Sequence, residues 1–286
     1  MLGIIKAQYD WDFARAIVQL GQGAELNPNS AMAHLWMGYV QLQLGQLDLA
    51  RVEYDKAKEL DPLAVNLVWL ATWPSFYQRR YDEAIQRLND VIDLDHGFSD
   101  GYALLGETYE QKGDFARALV ELRRAESLGS HAWTEVAIGR VYAETGRRDS
   151  ALRVIDELEE RAKKEYVTPY GIATIYAALG DRDHAFEWLE KAFRDRCEDV
   201  LLMKVDPRID RLRADPRFAP LLARAGLAPR NARGAAIEMP PRHWRLGDGA
   251  PAAHDPLGLE RAPRRGSDGV AAGEESALRL NRFARS

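Results

Sequence analysis

Apolar residues follow a helical period through most of the chain, in short stretches separated by glycine and aspartate. The stretch DGYALLGETYEQKG places Tyr102, Leu105, Gly106 and Tyr109 at i, i+3, i+4 and i+7, the spacing of one apolar helical face. The next stretch, DFARALVELRRAESL, repeats that spacing through Phe115, Ala118, Leu119, Leu122 and Ala125. Between them Gly113 suits a helix C-terminus and Asp114 the start of the following helix. The pattern predicts two antiparallel helices joined by a tight turn.

This unit recurs. Ala16, Ala50, Ala84 and Ala118 stand 34 residues apart, Ala151 follows after 33, and Ala185 restores the step of 34. A second ladder of mostly small residues runs in phase: Gly38, Thr72, Gly106, Gly139 and Ala173. A third, Gly45, Gly113, Gly146 and Gly180, marks the turns, and AELNPN and AKELDPL end units 34 residues apart. The small residues have a mechanical role. Gly106 and Ala118 let two helix backbones approach closely, where a bulky side chain would cost roughly 1–3 kcal/mol. One pair cannot bury its apolar faces alone, so neighbours must stack into a superhelix.

Small residue, turn glycine, alanine and "ELDP" at this period resemble the tetratricopeptide-repeat (TPR) family. The resemblance implies an all-α, right-handed α-solenoid of about five to six helix-turn-helix repeats with a C-terminal helical cap. YDWDFARA, RRYDEAI, DRDHAFEWLEKAF and KVDPRIDRLRADPRFAPLLARAGL are similar to the C-terminal repeat region of bacterial multidomain transcriptional regulators and serine-threonine kinases. The likeness spans about residues 9–227. Thr72 departs from the small-residue ladder, and Pro74 falls inside the same helix. Proline there removes a hydrogen bond, so ATWPSFYQ is expected to kink or to start its straight helix late.

The expected domains are residues 1–196, TPR repeats with an incomplete first unit; 197–227, a helical cap; and 228–286, a disordered tail. The first helix lacks about one turn, and LGII leaves an apolar end with two readings: a frayed terminus, or a chain cut from a longer parent whose missing part covered that face. An apolar end also allows a homodimer. In the cap, DPRIDRLR and DPRFAPLL each offer an Asp N-cap followed by proline. Ile209, Leu212, Phe218, Leu221 and Leu222 are expected to cover the last repeat. The tail is rich in Ala, Gly, Pro and Arg, and carries ten arginines against seven acids.

TPR superhelices bind along a concave side lined by the first helix of each unit, and the resemblance places particular residues there. Units two and three contribute Leu35, Tyr39, Leu42, Asn66, Trp69, Trp73 and Phe76. The later units contribute Ala103, Glu107, Glu110, Trp133, Arg140, Tyr170 and Thr174. Of these, Leu35, Tyr39, Trp69, Trp73, Phe76, Glu107, Glu110 and Arg140 are the candidate partner-binding set. Aromatics followed by acids suit an apolar helix or extended segment whose basic residues meet Glu107 and Glu110. The alternative is that Trp69 and Trp73 only pack between helices. The Lys/Asn arrangement with which chaperone-binding relatives grip a terminal carboxylate is missing from these positions.

Composition narrows the remaining classes. The 286 residues have a formal net charge of −5 and 46% hydrophobic content, which suits a buried core and disfavours direct nucleic-acid binding. Apolar runs break well before membrane-spanning length. The single cysteine, Cys197, fits a reducing compartment and a packing role, and the expected location is cytoplasmic. The six histidines (His34, His96, His131, His184, His243 and His254) have no metal-ligand spacing. With no phosphate-binding glycine loop or nucleophile elbow, no enzyme, no cofactor and no small-molecule substrate are expected. The leading function is a non-catalytic scaffold for a protein or peptide with an apolar anchor. The alternative is a regulatory or sensory module separated from a winged-helix, kinase or cyclase effector.

Overall fold

The computed structural model describes residues 2–129 and 132–228, and every statement below concerns these residues. The tail that the sequence marks as disordered, with His243 and His254, lies outside them, as does His131. No strand occurs among the described residues.

Helices come in pairs at the expected period: α1 (Leu2–Gln8) with α2 (Phe13–Leu26), then α3 (Ala31–Gln43) with α4 (Leu47–Leu60). The first helix of unit three is split into α5 (Val65–Leu70) and α6 (Trp73–Tyr77), which precede α7 (Tyr81–Leu94). Then follow α8 (Ser99–Lys112) with α9 (Phe115–Ser127), α10 (Ala132–Glu144) with α11 (Arg148–Ala162), and α12 (Pro169–Ala178) with α13 (Arg182–Arg194). Two 3-10 turns, Glu198–Leu202 and Pro207–Leu212, lead to the short α14 (Phe218–Arg224). The fold is an all-α TPR solenoid. Helix α1 has only seven residues, and its Ile5 is 42% exposed.

The ladders read from the sequence mark the tightest contacts. All six ladder alanines, from Ala16 to Ala185, are wholly buried. A Cβ on Gly106 would lie 2.6 Å from the Leu122 side chain and 3.0 Å from the Ala118 carbonyl. The break in unit three has the expected cause. Pro74 sits in the first turn of α6, where a missing N–H is harmless, and Thr72 Oγ1 donates to the Trp69 carbonyl at the interruption.

Gly45, Gly113, Gly146 and Gly180 all take positive φ at the turns. Two other positions in this ladder hold bulky residues, Trp11 and Arg79, and these also take positive φ, 55° and 61°. Arg196 is the third such residue that is not glycine, at 51°. A left-handed conformation costs an L-residue roughly 1–2 kcal/mol, so each side chain must make contacts that offset it. Those contacts reach the C-terminal segment.

A paired substitution tests the close-approach argument. Gly106→Ala is expected to lose roughly 1–3 kcal/mol in urea unfolding, because backbone is among the atoms in its way. Gly23→Ala, where a Cβ meets nothing within 4 Å, is expected to gain roughly 0.5–1 kcal/mol. Equal effects at the two sites would refute the argument.

Candidate functional site

The concave face is not an open surface. Residues 197–213 run along it and are held in turn by the first helices of five units. Lys204 Nζ donates to the Leu44 carbonyl at the end of α3, at 2.7 Å. Leu202 and Val205 join the buried cluster of Leu35, Tyr39, Leu42, Trp69, Phe76 and Tyr77. Arg208 reaches Glu107 on α8, at 3.3 Å. Tyr170 on α12 donates to Asp206, at 2.8 Å. Arg211 donates to the Ala178 carbonyl on α12 and to Glu144 on α10.

The cap is therefore placed differently from the sequence expectation. Its Asp-Pro starts form as read: Asp206 accepts from the Arg208 backbone N–H and Asp215 from that of Arg217. Ile209 and Leu212, however, belong to a segment that lies along the concave side rather than only on the last repeat. Seven apolar residues of the segment (Val200, Leu201, Leu202, Met203, Val205, Ile209 and Leu212) are at most 6% exposed. Each such side chain contributes roughly 1.5–3 kcal/mol relative to exposure. The physical reason is plain: an aromatic floor left open would be a large wet apolar patch.

The eight candidate residues lie in two groups beneath this segment. Leu35, Tyr39, Trp69 and Phe76 are buried in the apolar floor, and the partly buried Trp73 packs edge-on against Tyr39 and Trp69. Glu107, Glu110 and Arg140 are also buried, in an ionic cluster. The Arg140 guanidinium donates to Glu107 at 2.5 Å and to Glu110 at 2.8 Å, and a further N–H reaches Thr174. Trp133 Nε1 donates to Glu107 as well. All eight face the chain's own residues, and the open groove that was expected is filled by the C-terminal segment.

Five charged groups meet here: Arg140, Arg208, Glu107, Glu110 and Asp206. Two guanidiniums among three carboxylates leave the cluster one negative charge in excess. Burial opposes ionisation of Asp206, but the Arg208 charge and its hydrogen bonds, with Tyr170, hold the carboxyl below its usual range. Burial pushes Glu110 up, against the pull of Arg140 and with the push of neighbouring Glu107. Burial also opposes the Arg140 charge, yet the two carboxylates outweigh it and keep the guanidinium protonated. Single-partner deletion of such a buried pair is far costlier than its net contribution.

Sequence reasoning did not identify Tyr77, Arg79, Lys204, Asp206 or Arg208 as groove residues. Arg79 carried a signal, since it replaces glycine in the turn ladder; its guanidinium binds both Asp210 oxygens, at 2.8 and 2.7 Å. Trp11 and Arg196 close the two ends in a similar way. Arg196 stacks on the Trp11 ring at 5.0 Å and donates to the Tyr9 carbonyl, and Trp11 meets Phe193 edge-on. Cys197 is buried beside Thr168 and Asp199; burial first, then the Asp199 charge, pushes its thiol up, which disfavours the thiolate.

The cluster generates two predictions. Arg208→Met leaves Asp206 without its cation and Glu107 with Arg140 alone, and is expected to cost roughly 3–5 kcal/mol in urea unfolding; a loss below roughly 1 kcal/mol, the range of surface pairs, would contradict the geometry. Asp206 has a lowered folded-state pKa, so its stabilisation is complete above the unfolded carboxyl pKa and fades as pH falls through the folded one. Asp206→Asn is thus expected to destabilise at pH 7 and to approach wild type as the pH falls through the lowered folded-state pKa, where wild type itself loses the charge. A pH-independent difference would contradict this assignment.

Among known proteins, tetratricopeptide-repeat family models match residues 8–65, 76–132 and 170–194. No curated protein sequence matches the chain significantly. Among solved structures, the APC/C hetero-tetramer Cut9-Hcn1 is similar with a TM-score of 0.56 and 16% identity, over 80% of this chain and 46% of that one. YrrB, described as a TPR protein with an unusual peptide-binding site, gives a TM-score of 0.39 at 24% identity, over 64% of this chain and 94% of that one. The pilF protein of Pseudomonas aeruginosa gives 0.48 at 22%, over 68% and 88%. Repeat period, helix pairing and family-model matches agree, and the chain belongs to the tetratricopeptide-repeat family.

Proposed function

We propose that the chain is a non-catalytic protein-interaction scaffold whose concave groove is reserved for its own residues 197–213, so that other proteins meet its outer and terminal surfaces. One observation carries this reading: the groove-lining set Leu35, Tyr39, Trp69, Phe76, Glu107, Glu110 and Arg140 is already buried. A foreign peptide would have to replace seven buried apolar side chains together with the Arg208 and Arg79 ion pairs. The tethered segment also has the advantage of effective concentration over any free competitor.

The occupant has the chemistry that the groove-lining residues call for. It is an apolar run, Val200–Leu202 and beyond, followed by an arginine that meets Glu107. This supports a second reading, in which a partner with the same apolar-then-basic pattern displaces the segment and takes its place. Charged groups in the groove are matched by neighbours, which supports a binding role rather than acid-base chemistry. Among the described residues, no group of three or more His, Cys, Asp or Glu side chains is arranged to hold a metal ion, and no helix is long and apolar enough to cross a membrane.

A labelled synthetic peptide of residues 197–213, added in trans to the full chain, separates the two readings. It is expected to remain unbound up to about 100 µM by fluorescence anisotropy. Saturable binding below that concentration would show that the segment exchanges, and would return the groove to foreign partners.

A further inference from the structure

We propose that the seam where the first repeat meets the last is a binding site for a small phosphate monoester. The seam encloses a solvent-open cavity of about 520 Å³, lined in part by Asp10, Trp11, Phe193, Arg194, Arg196 and Arg224. That volume is within the range of about 300–1,000 Å³ typical of small-molecule sites. Three arginines line it although residues 1–227 carry 37 acidic against 29 basic side chains.

The local charge count selects the ligand. Arg224 is neutralised by Glu190, at 2.7 and 2.9 Å, and Asp10 by Lys6. Arg196 spends its contacts on the Tyr9 carbonyl and the Trp11 face, and Arg194 has no carboxylate partner among the described residues. Two positive charges are therefore left without a counter-charge, which matches a phosphate monoester near its dianionic form at neutral pH. Guanidinium forks suit phosphate oxygens in particular.

The walls are prearranged. Arg196, Trp11, Phe193 and Arg224 form a continuous stack: Arg196 lies 5.0 Å from the Trp11 ring centre, the two rings are 5.0 Å apart, and Arg224 lies 4.0 Å from the Phe193 ring centre. Such stacking fixes the otherwise mobile arginines, which lowers the ordering cost of binding. Two of the lining residues, Trp11 and Arg196, hold strained left-handed backbone conformations, and retained strain of this kind concentrates at ligand clamps. The cavity is larger than a bare phosphate needs and leaves room for an organic part of about mononucleotide size.

Isothermal titration of the full chain with adenosine 5′-monophosphate tests the site, with adenosine as the control lacking phosphate and Arg194→Gln as the variant. Arg194 is exposed and unpaired, so this variant is expected to melt as wild type does. The expected result is saturable binding of the monophosphate, none of adenosine, and affinity roughly tenfold weaker in Arg194→Gln, the loss of one charge-assisted contact. The proposal is overturned by no saturable binding up to about 5 mM, by adenosine binding equally well, or by unchanged affinity in the variant.

Discussion

The buried meeting of Arg208 with Glu107 and Asp206 is the interaction on which the rest of the structure depends. It links the C-terminal segment to α8 in the middle of the solenoid, and through Asp206 to Tyr170 on α12. Arg140 completes the cluster by pairing with both Glu107 and Glu110. A groove holding two buried glutamates would be strongly unfavourable with Arg140 as its only cation. The segment supplies a second cation, Arg208, which Asp206 holds in place against Glu107, and it covers the aromatic floor with Leu202 and Val205. Charge pairing sets its register along the groove, and apolar burial supplies most of the binding energy.

The repeats and the segment stabilise each other by different means. The two helices of a unit are joined by small residues at close approach, as at Gly106 with Ala118 and Leu122, a local and periodic device that operates between positions 12–16 apart. The segment is joined by contacts of long sequence separation, 101 residues for Arg208 with Glu107 and 131 for Arg79 with Asp210. Three left-handed residues that are not glycine, Trp11, Arg79 and Arg196, hold these closures. The fold accepts local strain at the turns in return for side chains that glycine could not provide.

This division explains what could be read from the chain alone. The helix pairs, the break at Pro74 and the buried alanine ladder were legible because each depends on residues within one unit or its neighbour. Proximity along the concave side was legible as well: Tyr39, Trp69 and Trp73 share one floor, and Glu107, Glu110 and Arg140 one cluster. The identity of the occupant did not follow, because KVDPRIDRL has no period and its partners lie 33 to 160 residues away. Arg79 in place of a turn glycine was the available clue, and its meaning depends on knowing where Asp210 lies.

Amide hydrogen exchange over residues 200–212 tests the central claim most directly, since it reads the burial of the segment without altering it. If the segment is folded into the concave face, these amides exchange as slowly as those of α8 and α12, through the same cooperative opening. Exchange at the rate of an unstructured peptide, with α8 and α12 still protected, would contradict the account and leave the groove open.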